Sequence, residues 1–131
     1  MFRSTMLAAA ALALAGCAAK APPEDTCKAP DFTARAAPGT YAAEKETVTL
    51  CVRKAAFAIA KAGGDITHAG DQAVSQCKAE EAAVGKAGPD KFYDWQRQEL
   101  HESLVHTGKI TAAQARSLGC GAAPGAPKDT I

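Results

Sequence analysis

Apolar side chains recur every three or four residues along the chain that follows residue 40. This spacing places them on one face of a helix, with charged side chains largely on the other face. Residues 47–52 leave an alternative open, because they are β-branched and alternate as in a strand. We favour one helix, since residues 53–62 (RKAAFAIAKA) are strong helix formers, and expect Gly63 and Gly64 to end it. Its predicted inner positions are Val48, Cys51, Val52, Ala55, Ile59 and Ala62.

Two further helices are predicted by the same pattern. Asp65 or Thr67 can cap the second helix, which we expect to end in the glycine-containing residues 85–88. Pro89 opens the third helix, at a position where its missing N–H costs nothing. Both helices have one apolar face, so both can pack against the first.

A short fourth helix completes the pattern. Gly108 is expected to end the third helix, and Thr111 and Gln114 then have the spacing of a capping box. The sequence therefore predicts an all-α fold, a small bundle of three to four helices in residues 41–120. Residues 17–40 contain four prolines and predict an extended tether, and residues 121–131 predict a flexible tail.

The N-terminus follows a different pattern. Arg3 precedes ten residues, 6–15, that carry no charge and no hydrogen-bonding side chain, and this run leads to Gly16 and Cys17. A short basic start, an apolar core of about 7–15 residues and small residues at its end are typical of a secretory signal peptide. A membrane-spanning helix needs roughly 20 apolar residues. We therefore interpret residues 1–16 as a signal peptide.

Leu14-Ala15-Gly16-Cys17 resembles the lipobox of bacterial lipoproteins, an apolar residue and two small ones before a cysteine. The resemblance covers the first 17 residues and implies cleavage before Cys17, with diacylglycerol on its sulfur and acylation of the new amino terminus. Two or more acyl chains hold a protein stably on a membrane, whereas one chain is marginal. Because Ala18 replaces the aspartate that often retains such proteins in the inner membrane, we expect the outer membrane of the cell envelope, facing the periplasm.

Charge and lipid limit the expected partners. Cleavage before Cys17 removes Arg3, so the 15 basic side chains fall to 14 and equal the 14 acidic ones. Nucleic-acid binding needs a concentrated basic face, so we predict no nucleic-acid partner. We expect a membrane partner through the lipid on Cys17, and consider an envelope protein as the second partner.

With Cys17 lipidated, four cysteines remain, and four cysteines in an oxidising periplasm predict two disulfides with three open pairings. We favour Cys51 with Cys77, because they lie 12 residues before and 13 residues after the predicted glycine turn. They therefore stand at the same height on antiparallel helices. Cys27 then pairs with Cys120 and staples the N-terminal arm onto the last helix.

The cysteines and histidines lack the spacing that other kinds of functional site usually show. The cysteines are too far apart for a zinc site or a redox CxxC motif. His101 to His106, HESLVH, is similar to the zinc-protease HExxH but one residue longer, which separates the two histidines by about 140° around a helix. We expect solvated histidines, no catalytic or metal-binding residues and no cofactor, and therefore predict that the protein is not an enzyme.

Phe92, Tyr93 and Trp95 form an aromatic cluster within four residues. Such clusters more often belong to a core, but three rings this close cannot all face inward, so one should be exposed. This cluster is the best candidate surface for a partner. The sequence thus predicts a membrane-anchored, non-enzymatic interaction or structural module, with the alternative of a ligand or metal binder, or an enzyme, with a site between the helices.

Overall fold

A computed structural model describes residues 27–34, 36–37, 39–88 and 93–121. This part of the chain contains no strand, so the predicted all-α fold is confirmed. None of its helices is long and apolar enough to cross a membrane. The signal peptide, Cys17, Phe92 and the tail beyond residue 121 lie outside the described residues. The helices are α1 (Tyr41–Lys61), α2 (Ala69–Gln76), α3 (Lys78–Ala87) and α4 (Asp94–Ser117).

The central helix is α1, which packs against the other three. It begins where the Thr40 hydroxyl accepts a hydrogen bond from the Ala43 N–H at 3.1 Å, which satisfies one backbone donor of its first turn. It ends as predicted at Gly63, whose φ of +81° favours glycine. Residues 47–52 are helical, so the strand alternative is excluded. The buried face is Ala43, Val48, Val52, Ala56, Phe57 and Ala60, while Ala62 is exposed.

The second predicted helix is two helices, because the chain leaves helical geometry at Cys77 (φ −108°, ψ 24°) between α2 and α3. The expected caps at its start are also wrong. His68 occupies the N-cap position and makes no side-chain cap bond. Asp65 instead accepts hydrogen bonds from the Thr67 N–H at 2.8 Å and the Thr67 hydroxyl at 2.7 Å, so its oxygen is used within the turn that precedes α2.

The third and fourth predicted helices are one helix, α4, which continues through Gly108. Gly108 is a packing residue: a Cβ there would lie 2.8 Å from the Gly70 Cα and 3.3 Å from Val52 Cγ1. A Cβ on Gly70 would in turn overlap the Val105 carbonyl oxygen. The two glycines let α2 and α4 cross closely, so the expected stop at Gly108 is wrong. Thr111 is buried and donates to the Thr107 carbonyl at 2.9 Å, so it caps no helix.

Two contacts show that α1 and α4 run in the same direction. Val52 of α1 lies beside Gly108 of α4, and Ala60, near the end of α1, lies beside Gly121. Arg116 strengthens this end by donating to the Gly64 carbonyl at 2.8 Å and to the Gly121 carbonyl at 2.9 Å. The first turns of both helices consequently lie at the opposite end of the bundle.

The described part of the expected tether packs on α1. Phe32 meets Phe57 edge to face, with ring centroids 6.3 Å apart. The same Phe32 ring also contacts the Arg53 guanidinium, which lies 5.7 Å from the ring centroid. Further along, the Ala36 N–H donates to Glu46 Oε2 at 2.9 Å. Residues 27–34 are therefore an arm of the folded domain, and only the chain before them can act as a spacer.

Candidate functional site

Four cysteines form the two pairs that the sequence predicts. Cys51 bonds to Cys77 with a Cα–Cα distance of 6.0 Å, joining α1 to the break between α2 and α3. Cys27 bonds to Cys120 with a Cα–Cα distance of 5.0 Å, joining the arm to the end of α4. Cys77 and Cys120 are buried, while Cys51 and Cys27 are partly accessible. We call the end of the bundle that carries Cys120 the staple end.

Exposed aromatic side chains lie at the end opposite the staple end. Trp95 in the first turn of α4 is 63% exposed and Tyr93, directly before α4, is 53% exposed. The Tyr93 N–H donates to Gln96 Oε1 at 2.9 Å, which fixes the start of the helix. Tyr41, the first residue of α1, is 36% exposed beneath Lys45, whose Nζ lies 5.5 Å from the ring centroid.

This aromatic end, defined by Tyr41, Tyr93 and Trp95, is the only place where the described chain exposes aromatic rings to this extent. The two other described aromatics, Phe32 and Phe57, pack against each other near the core. Two members of the predicted cluster are thus on the surface, and neither belongs to the core. The sequence placed the rings close together but gave no signal that Tyr41 would lie at the same end.

The histidines of HESLVH face a shallow groove of about 320 Å³ between α2 and α4. His101 Nδ1 lies 3.0 Å from Glu81 Oε1 and so links α4 to α3. His106 is exposed further along the same groove. Neither histidine belongs to a group of described side chains whose ligand atoms could share a metal ion. The groove supplies no constellation of nucleophile, base and oxyanion donor.

A second groove, of about 270 Å³, lies between the arm, α1 and α4. Its floor is apolar, with Phe57 and Ala115, and its polar members include Arg53 and Gln114. The buried Thr111 hydroxyl also lines it but is already bonded to the Thr107 carbonyl. This groove is a candidate location for the alternative site between the helices, which stays a prediction.

Two exposed aspartates have lowered pKa values, and both owe them to local turns. The pKa of Asp65 falls from 3.8 to about 2, chiefly through the hydrogen bond from the Thr67 hydroxyl and then through the bond to His68. The Thr33 hydroxyl and N–H lower the pKa of Asp31 in the same way. These groups stabilise turns and do not converge on a cavity.

Comparisons of the chain with models of protein families, with curated proteins and with solved structures find no match.

One further cluster among the described residues could hold a metal ion: Cys51, Cys77 and Glu80, whose sulfur and carboxylate atoms lie within 4.8 Å of one another. Sequence reasoning missed Glu80. The only signal for it is its position one helical turn after Cys77.

Proposed function

We propose that this protein is a lipid-anchored envelope lipoprotein, held by Cys17 to the periplasmic face of a bacterial outer membrane, that acts as a non-enzymatic interaction or structural module. It binds no nucleic acid and carries no cofactor in this function. Its anchor is the lipid on Cys17, and its contact surface for an envelope protein is the aromatic end.

The observation that carries the proposal is the pairing of four of the five cysteines. Cys27 with Cys120 and Cys51 with Cys77 account for every cysteine but Cys17. Structural disulfides are typical of oxidising compartments, and the remaining cysteine completes the motif that resembles a lipobox. The two features support the same location from independent residues.

The disulfide at Cys27 shortens the tether that lipidation at Cys17 would create. Because residues 27–34 pack on α1, only the ten residues from Cys17 to Cys27 can act as a spacer, and a chain of that length spans at most about 36 Å. The connection enters at the staple end, and α4, with 24 residues, is about 36 Å long. Inserting the aromatic end upright into the same bilayer would therefore need a fully stretched connection.

This geometry favours a partner beyond the bilayer for Tyr93 and Trp95. Their rings present large apolar faces with a polar atom at the edge, which is the composition of protein-binding hot spots. Their exposure leaves this area uncovered within the described chain. A protein surface with an apolar pocket would bury both rings.

The anchor is tested by Cys17→Ser. We expect this variant to lose incorporation of labelled palmitate and to leave the membrane fraction, because its hydroxyl cannot form the thioether. Cys27→Ser is the matched control: it removes a different cysteine and should keep both the label and the membrane fraction. Palmitate labelling that survives Cys17→Ser would contradict the anchor.

The contact surface is tested by photo-crosslinking in intact cells. A photoreactive residue placed at Tyr93 or Trp95 should give a discrete crosslinked partner. The control probe stands at Ala58, an exposed position in the last turn of α1, near the staple end. Equal products from Ala58, or no product from either aromatic position, would contradict the aromatic end as the contact surface.

A further inference from the structure

We propose that Cys51, Cys77 and Glu80 form a redox-gated zinc site, closed while the two cysteines are bonded and open to Zn²⁺ when they are reduced. This site needs neither the lipid on Cys17 nor a protein partner, so it stands independently of the proposed function. It joins α1 to the start of α3, where the first turn of α3 places Glu80 beside the sulfurs.

Glu80 is the unusual member of the cluster. It is partly buried, and within the part of the chain that the structure describes its carboxylate makes no hydrogen bond or ion pair. Its neighbour Glu81 is bonded to His101. No buried side-chain oxygen among the described residues lacks a hydrogen-bond partner, so the Glu80 oxygens are accessible to solvent and available as ligands. Reduction of the disulfide would let this carboxylate and the two sulfurs share a metal ion.

The ligand set suits zinc. Two thiolates and one carboxylate match the donors that Zn²⁺ prefers, and a water molecule completes a tetrahedron. At Zn–S distances of about 2.3 Å, tetrahedral angles separate the sulfurs by roughly 3.8 Å. The Cα atoms of Cys51 and Cys77, 6.0 Å apart, already allow that separation by side-chain rotation. Glu80 needs to approach by at most about 1 Å, since its oxygen already lies within 4.8 Å of both sulfurs and carboxylate oxygens bind zinc at about 2.0–2.2 Å.

Opening the site requires a reductant, and an external dithiol can serve by thiol–disulfide exchange. The dithiol is oxidised to its own disulfide while the S–S bond of Cys51 and Cys77 breaks and each sulfur takes up one proton. Zn²⁺ then replaces these two protons, which are released to solvent. Access is from the side of Cys51 and Glu80, because Cys77 is buried.

The other disulfide provides an internal comparison. Among the described residues, no carboxylate or histidine accompanies Cys27 and Cys120 closely enough to form a metal-binding group. Reduction there yields two thiols without a third ligand. Among the described residues, the same reducing treatment should therefore create a zinc site only at Cys51, Cys77 and Glu80.

The experiment is a Co²⁺ titration of the purified full chain, with Co²⁺ as a spectroscopic substitute for Zn²⁺. A phosphine reductant opens the disulfides without adding a competing thiol. We expect the reduced chain to show a thiolate-to-cobalt charge-transfer band that saturates at one ion per chain and disappears when Zn²⁺ is added. The oxidised chain should show no band.

Four variants assign the ligands. The pair Cys51→Ser with Cys77→Ser should abolish the band, and the pair Cys27→Ser with Cys120→Ser should keep it. Glu80→Gln should weaken Zn²⁺ binding by at least about tenfold, the loss that even an outer-shell partner causes. The matched control, Glu81→Gln, should leave the affinity unchanged.

Circular dichroism accompanies each titration, so that unfolding cannot hide the result. If reduction lowers the helix content, Zn²⁺ should restore it, because metal binding and folding are coupled. The proposal is overturned if the reduced chain gives no band and Zn²⁺ restores no helix. It is also overturned if Glu80→Gln binds Zn²⁺ as tightly as Glu81→Gln.

Discussion

Replacement of Gly108 by alanine tests the helix crossing on which the bundle depends. In an open helix interior this change would stabilise the fold by about 1 kcal/mol, because alanine has the higher helix propensity. Here the new Cβ would lie 2.8 Å from the Gly70 Cα, a backbone atom that cannot rotate away. Overpacking of this kind costs about 1–3 kcal/mol. We expect the overlap to dominate, with a net loss of up to about 2 kcal/mol.

The assay is urea denaturation followed by circular dichroism, with the melting temperature as a second readout. A loss of 1 kcal/mol corresponds to roughly 4–8 °C in a domain of this size. Gly70→Ala should also destabilise, because its Cβ overlaps the Val105 carbonyl oxygen. Ala113→Gly, on the exposed face of α4, measures the propensity change alone and should cost about 1 kcal/mol. A Gly108→Ala or Gly70→Ala variant that is more stable than the parent would refute the close crossing.

Three further predictions address the staple, the aromatic end and the turn before α2. Replacing Cys51 and Cys77 by serine should lower the free energy of unfolding by up to about 3.5 kcal/mol in denaturant titrations, since their loop spans 26 residues. Trp95→Ala should change stability by less than about 0.5 kcal/mol, because the ring is exposed, yet remove crosslinks made from Tyr93. The pKa of Asp65 is lowered to about 2, so its stabilisation is present above pH 3.8 and lost as pH falls through about 2; Asp65→Asn should flatten that part of a melting-temperature profile.

Local signals were sufficient where neighbouring residues decide the structure. The apolar spacing in residues 48–59 and the strong helix formers after Arg53 predict α1, and Gly63 ends it with a positive φ. Symmetry about that turn predicts the bond between Cys51 and Cys77. In each case the deciding contacts lie within one helical hairpin, so residue spacing contains the needed information.

Sequence patterns gave wrong predictions where a residue far away in the chain determines the structure. A glycine in a helical pattern can end a helix or admit a neighbouring helix, and only the contact with Gly70 identifies Gly108 as the second kind. The capping-box spacing at Thr111 is overridden because the helix continues and buries the hydroxyl. The break at Cys77 has no helix-breaking residue to announce it. The exposure of Trp95 depends on where α4 begins; the sequence places the start of this helix at Pro89, whereas α4 begins at Asp94.

Small side chains make redox state important for this fold. The largest fully buried side chains are valines and cysteines, namely Val48, Val52, Val74, Val84, Cys77 and Cys120. Such a core buries less apolar area per residue than one built of leucine and phenylalanine, and apolar area is the main source of stability. Close packing of the helices at Gly70 and Gly108 recovers part of this buried area. The two disulfides add stability by restricting the unfolded chain, which the small core cannot do.

The zinc proposal has a thermodynamic consequence that follows from this dependence. Opening the bond between Cys51 and Cys77 removes up to about 3.5 kcal/mol of chain-entropy stabilisation. Zinc at a hundred times its dissociation constant raises the free energy of unfolding by about 2.7 kcal/mol when only the folded protein binds it. The metal would thus restore about three quarters of the stability that the chain loses when this disulfide is reduced. Zn²⁺ should therefore raise the melting temperature of the reduced chain steeply and leave that of the oxidised chain unchanged. In Glu80→Gln at the same metal concentration, a tenfold loss of affinity should cut the stabilisation to about 1.4 kcal/mol, half of the parent value.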